Sequence, residues 1–161
     1  MHPPVRIEVM KVGDLASVAA IAGPTRMDEA QLAAELERPW SRLWVARQQE
    51  GAVVAFLVSW HVTDELHVLN VATREDRRRQ GIARALMDVV IAYARREKVK
   101  HILLEVRRSN DAAIRLYRGV GFFAMGVRAR YYPNDEDAVE MVLLLDPETG
   151  AVVARDDEVR L

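Results

Sequence analysis

The sequence predicts a one-domain α/β fold with a mixed sheet flanked by helices. Three observations lead there. The chain has 161 residues, within the roughly 100–200 expected of one domain. Half of it is apolar and 29% is charged, which suits a single buried core and excludes a disordered or collagen-like chain. Segments of period two alternate with segments of helical period along its length.

The elements follow in order. Arg6 to Val12 alternates weakly through Ile7 and Val9 and reads as a first strand. Asp14 to Ile21 reads as a helix, with Asp14 as its cap and Leu15, Val18 and Ala19 on one face. Gly23-Pro24 breaks it. Asp28 to Glu37 carries Leu32 and Leu36 four residues apart and reads as a second helix, with Pro39 just beyond. Leu43–Arg47 and Ala52–Trp60, joined by the turn-like Gln48-Gln49-Glu50-Gly51, form an antiparallel hairpin. Asp64-Glu65 makes a turn into the strand Leu66–Ala72. Gly81 to Arg96 is the strongest helix, with Ile82, Leu86, Val89 and Tyr93 on one side. His101–Arg107 is a strand with Ile102, Leu104 and Val106 on its apolar face. Ser109-Asn110-Asp111 caps a short helix ending at Gly119 or Gly121. Strands around Phe122–Ala129 and Ala138–Leu145 complete the domain, taken as residues 1–146. Residues 147–161 read as a polar, mobile tail.

Composition excludes several chemistries. There is no cysteine, so a disulfide framework, a thiolate zinc site and a cysteine nucleophile are all ruled out. No His, Asp and Glu cluster has metal-ligand spacing, and no metal is expected. The start, Met1 to Arg6, lacks a basic segment followed by an apolar one. The apolar run Ala52–Val58 falls far short of the ~20 residues of a membrane span. A cytoplasmic protein without a membrane partner is expected.

The net charge is −1, but it is unevenly distributed. Arg74 to Arg108 holds eleven basic and five acidic residues, whereas Asn134 to Leu161 holds nine acidic and two basic. A basic middle and an acidic end suggest a cationic surface for a local anionic ligand. A nucleic-acid patch at Arg74–Arg79 is the competing reading, but the run lacks the aromatic interleaving of a single-strand binder. No nucleic-acid partner is expected.

The most informative segment joins Asn70-Val71-Ala72-Thr73 to Arg77-Arg78-Arg79-Gln80-Gly81-Ile82-Ala83. A strand ends, a polar loop follows, and a helix opens at a glycine with a small residue two positions later. The first N–H groups of a helix have no intrahelical partner and carry positive potential, which suits a pyrophosphate. A tight strand-to-helix turn with solvated arginines would use the same residues.

Arg78-x-x-Gly81-x-Ala83 resembles the pyrophosphate signature of the GNAT superfamily of N-acetyltransferases. Ala83 stands where the last glycine of that signature usually lies. Leu104-Glu105-Val106-Arg107, Asn110 to Tyr117, Gly121-Phe122 and Arg130-Tyr131-Tyr132-Pro133 resemble the bacterial RimI-type N-terminal alanine acetyltransferases of ribosomal proteins. The likeness is dense from about Asp64 to Leu145 and thin before it.

The resemblance implies a mostly antiparallel sheet with splayed central strands and direct acetyl transfer from acetyl-CoA to an amine. It assigns the pantetheine to the backbone of Val71, Ala72 and Thr73 and to Asn110. It assigns the pyrophosphate to Arg79, Gln80, Gly81, Ile82, Ala83 and Arg84. Glu105 corresponds to the family's base, Tyr117 to its acid, and Tyr131 and Tyr132 to the loop that clamps a substrate N-terminus. The roles are chemically coherent. An α-amine ionises near about 7.7–8.0 and lysine near about 10.4, so a protein N-terminus loses its proton more readily. A carboxylate with a reference value near about 4.3 is a weak base unless burial or a relaying water assists it, whereas tyrosine near about 10 keeps a proton to donate.

The resemblance implies a protein N-terminus as the acceptor, with a ribosomal protein the first candidate. A lysine side chain or small amine is the alternative acceptor, and a non-catalytic acyl-CoA-responsive module the alternative class. Glu105 also suits a cross-strand ion pair, Tyr117 a packed tyrosine, and Tyr131 and Tyr132 ordinary strand aromatics. Oligomeric state is not legible in the sequence.

Overall fold

The computed structural model describes residues 4–23 and 27–161. Pro24, expected to break a helix, and Met1 to Pro3, part of the expected leaderless start, lie outside the described residues. The chain divides into two compact units, Met1–His61 with Leu69–Val90, and Val62–Val68 with Ile91–Leu161.

In the first unit, β1 (Val5–Val9) pairs antiparallel with β2 (Ser41–Gln48), which pairs antiparallel with β3 (Val53–Val62). The turn between β2 and β3 closes through Gly51 N–H to Gln48 O at 2.9 Å. Gly51 has φ +103°, a left-handed conformation that favours glycine. The next strand is β4 (Glu65–Thr73), whose second half lies in this unit.

Two helices precede the hairpin, α1 (Leu15–Ala22) and α2 (Glu29–Glu37). Asp28 caps α2, accepting from Gln31 N at 2.8 Å while the Gln31 side chain accepts from Asp28 N at 2.9 Å. Asp14 behaves differently from the expectation. It makes no side-chain cap on α1. One of its oxygens accepts from Lys11 N at 3.0 Å and the other takes Arg47 Nη2 at 2.8 Å, so a buried carboxylate is satisfied by one local amide and one tertiary guanidinium. The first strand is also shorter than expected, because the chain turns through a 3₁₀ segment at Val12–Asp14.

Leu15, Val18 and Leu32 pack with Leu43, Val45 and Phe56 in this unit's core. At its edge Glu35 is buried but accepts from Ser41 Oγ at 2.5 Å and Trp60 Nε1 at 2.8 Å, and it pairs with Arg38. Charge burial is tolerated here because the carboxylate oxygens have donors.

The second unit holds the first half of β4 and then β5 (His101–Arg107), β6 (Phe123–Arg128) and β7 (Ala138–Leu145). The strand order is β4-β5-β7-β6. Glu65–Val68 runs parallel to His101–Leu104, and the β5–β7 and β7–β6 ladders are antiparallel. The result is the mixed, mostly antiparallel sheet expected from the sequence. On β5, Ile102, Leu104 and Val106 are buried and Leu103, Glu105 and Arg107 are half-buried, so the period-two pattern assigned the faces correctly.

The helix α3 (Ile82–Arg96) buries Leu86, Val90 and Ala94, with Met87 and Ile91 beside them. Val89, expected on the apolar face, is only half-buried and Val90 takes its place, one residue round the helix. The helix α4 (Asp111–Val120) is capped by Asn110, which accepts from Ala113 N at 3.1 Å, and ends at Gly121 with φ +117°.

The segment after Leu145 departs from the expected tail. Val152–Val153 forms β8 against Leu144–Leu145 of β7. Farther on, Glu158 N–H bonds Ala124 O at 2.8 Å, Asp157 accepts from Ala124 N at 2.9 Å, and Asp157 pairs with Arg118 at 2.6 Å. Two valines in a polar stretch are a weak strand signal. The β6–β7 ladder ends at Val142, so the last residues of β7 have open backbone groups on that side, and they supplied the partner that the local sequence could not reveal.

Candidate functional site

Within the first unit, the loop between β4 and α3 contains the motif singled out from the sequence. A 3₁₀ turn at Glu75–Arg77 leads to Arg78, whose Nε donates to Thr73 O at 3.3 Å and ties the loop back to the strand end. Arg79 has φ +62° and Gly81 φ +77°. The helix proper starts at Ile82, and Ala85 N–H to Gly81 O at 3.0 Å is among its opening hydrogen bonds. The amides of Ile82, Ala83 and Arg84 thus precede the internal ladder. A Cβ built on Gly81 meets no atom within 4 Å, so the space before the helix is open.

The arginine run is less free than its charge suggests. Arg74 pairs with Asp76 at 2.6 Å, and Arg84 pairs with Asp88 at 3.4 Å along the helix. Hydrogen bonding to Arg74 holds the Asp76 carboxyl below the usual carboxylate range.

The second unit brings together Glu105, Tyr131 and Tyr132. Glu105 lies on β5, and the loop from Ala129 to Asp137 follows β6. Hydrogen bonding to Glu105 is the main cause that holds the Tyr131 hydroxyl above its ordinary value, with burial adding to it. Tyr131 and Tyr132 meet edge to face, with ring centroids 5.1 Å apart. Arg107 lies 4.0 Å from the centre of the Tyr132 ring and donates to Asn134 Oδ1 at 2.9 Å.

Three contacts moor this loop to the segment that joins β5 to α4. Ser109 Oγ donates to Glu136 at 2.7 Å, Arg108 pairs with Asp137 at 3.1 Å, and Arg108 N–H bonds Asp137 O at 3.1 Å. Arg130 N–H donates to the same Asp137 side chain at 3.0 Å, and together with Arg108 this holds the carboxyl below its usual range. Sequence reasoning assigned no partners to Arg108, Ser109, Glu136 or Asp137. Their polar, turn-like composition marks a loop but not which partner each one takes.

Asn110 uses its side-chain oxygen to cap α4, so a ligand there would meet its NH₂ donors. Tyr117 lies on α4, buried, with its ring centroid 5.6 Å from that of Phe122. Burial, and secondarily the nearby Tyr132, pushes its hydroxyl up to about 12. It therefore stays protonated across the physiological range.

A stability dependence follows from this shift. The unfolded chain ionises Tyr117 near 10, whereas the folded chain resists until about 12. The stabilisation is full below the lower value and is lost as pH rises through the higher one. Denaturant unfolding of wild type and Tyr117→Phe should therefore diverge between these limits, with the wild type losing stability more steeply. Parallel curves would remove the burial argument.

Among the described residues, no three His, Asp or Glu side chains group as metal ligands, and no helix is long and apolar enough to cross a membrane.

The chain belongs to the acetyltransferase (GNAT) family, whose profile matches residues 14–122. It is similar to the ribosomal protein bS18-alanine N-acetyltransferase of Escherichia coli, 41% identical over 98 residues. That alignment covers 59% of this chain and 66% of the relative, so the chain spans just under two thirds of that curated relative's length. The corresponding enzyme of Haemophilus ducreyi is 31% identical over 135 residues, 74% of this chain and 92% of that protein. The crystal structure of the Escherichia coli ribosomal-protein-S18-alanine N-acetyltransferase superposes with a TM-score of 0.79 at 28% identity. The superposition covers 98% of this chain and 99% of that one.

Proposed function

We propose that this chain transfers the acetyl group of acetyl-CoA to the N-terminal amine of a protein, a ribosomal protein being the first candidate. The observation that carries the reading is the grouping of the candidate base with the candidate acceptor loop: Arg128 lies 3.6 Å from Glu105 and 5.7 Å from the Tyr131 ring, and Tyr131 meets Tyr132 edge to face. Similarity to the bS18-alanine enzymes supports the acceptor class. A cytoplasmic location follows from such an acceptor.

Glu105 takes the proton of the acceptor ammonium, directly or through water. The freed amine forms the new C–N bond to the acetyl carbon as the C–S bond breaks, the second nitrogen proton leaves to water, and the departing sulfur, toward which Tyr117 donates a hydrogen bond, leaves as the thiolate or takes a proton from water. A tyrosine near 12 is a reluctant acid against a thiol near about 8.5, so Tyr117 acts mainly as a hydrogen-bond donor until charge develops on sulfur. The backbone of Val71, Ala72 and Thr73 and the Asn110 amide take the pantetheine. The amides from Arg79 to Arg84, including Gln80, Gly81, Ile82 and Ala83, take the pyrophosphate, and the two left-handed residues of that loop favour converging amides. Tyr131 and Tyr132 clamp the acceptor N-terminus.

The test is CoA release from acetyl-CoA with two matched peptides. One carries a free N-terminal alanine, the other a blocked N-terminus and an internal lysine. Turnover confined to the first is expected. Turnover on the second would move the activity to lysine, and turnover on neither, with acetyl-CoA still bound, would favour a small amine or a non-catalytic sensor.

A further inference from the structure

Cross-strand register arranges charge on the half-buried face of the second unit's sheet. Glu105 stands directly opposite Glu140, and Glu140 opposite Gly126. In the neighbouring row Arg107 and Arg128 both stand opposite Ala138. Two carboxylates facing each other across a ladder repel. Gly126 gives Glu140 room, because a Cβ there would lie 2.9 Å from Glu140 Oε2.

One guanidinium serves both carboxylates. Arg128 Nη1 lies 3.6 Å from Glu105 Oε1, and its Nε is hydrogen-bonded to Glu140 Oε1. Arg107 is drawn instead toward Tyr132, Asn134 and Glu136. The Arg128 side chain is 56% exposed, against 29% for Glu105 and 24% for Glu140. It is thus the outer, movable member of the group. Its carboxylate contacts are unequal, hydrogen-bonded to Glu140 and looser at Glu105, and its guanidinium also lies 5.7 Å from the centre of the Tyr131 ring.

We propose that Arg128 is a displaceable counter-cation of the acceptor site, standing at Glu105 where the acceptor's ammonium binds, with Glu140 retaining Arg128 when the acceptor displaces it. The inference rests on Glu105 being the acceptor-side base. Arg128 and Glu140 are positioning residues in this scheme, and together they favour an acceptor cation compact enough to exchange with a guanidinium at one carboxylate.

The scheme demands effects of opposite sign. Arg128→Gln removes the competitor and should lower the KM for the free-N-terminal peptide by roughly threefold to tenfold. Glu140→Gln removes the retaining partner, leaves Arg128 to Glu105 alone, and should raise that KM by a similar factor. Acetyl-CoA affinity, measured by calorimetry, should stay within about twofold in both and reports that they are folded. In a Glu105→Gln background the Arg128 effect on acceptor KM should vanish. Shifts of the same sign, or no shift in either single variant, overturn the proposal. Full activity of Glu105→Gln alone instead overturns the assignment of the base, which separates the two failures.

Discussion

Gly81→Val should raise the Kd for acetyl-CoA at least tenfold while the chain stays folded. The residue sits at φ +77°, where an L side chain is strained whatever the space around it. Holding a non-glycine residue there costs about 1–3 kcal/mol, and β-branching raises the penalty. About 1.4 kcal/mol is already a tenfold change in an equilibrium constant. No protein atom lies within 4 Å of the added Cβ. A loss therefore comes from the backbone leaving its left-handed conformation, or from the side chain entering the space before α3. Both routes act on the amides from Gln80 to Arg84. Calorimetry against acetyl-CoA reads this directly, and an unchanged Kd would detach the loop from the pyrophosphate and return it to a plain strand-to-helix turn.

Glu105→Gln should lower kcat by about a hundredfold or more, the ordinary range for loss of a general base. The acetyl-CoA Kd should stay within about twofold. The amide keeps the size of the side chain and a partner for Tyr131, but it cannot take a proton. Structural damage should be small. Among the described residues Glu105 forms an ion pair with Arg128 at 3.6 Å, which is partly exposed and of a kind worth at most about 1 kcal/mol. Wild-type turnover in this variant would leave Glu105 as the cross-strand ion partner that its position on β5 also allows.

The sequence by itself determined the local elements and the family. Period-two spacing on β5 put Glu105 on the face opposite Ile102, Leu104 and Val106, and the buried and half-buried residues alternate accordingly. The Asn110 cap and a glycine stop at Gly119 or Gly121 were legible because each acts within three or four residues of itself. The Arg78 to Ala83 motif was legible for the same reason: a loop and a helix start are local objects.

Contacts between distant segments were decided by the tertiary structure alone. Asp14 reads as a helix cap until Arg47, thirty-three residues on, takes one of its oxygens. Residues 147–161 read as a tail until the end of β7, beyond the β6 ladder, pairs with Val152–Val153 and Ala124 takes Asp157 and Glu158. The Glu105, Arg128 and Glu140 group exists only through the register of three strands, and a slip of one residue would turn each of those side chains to the other face. Local propensity is written in neighbouring residues, whereas register is set by packing over the whole sheet.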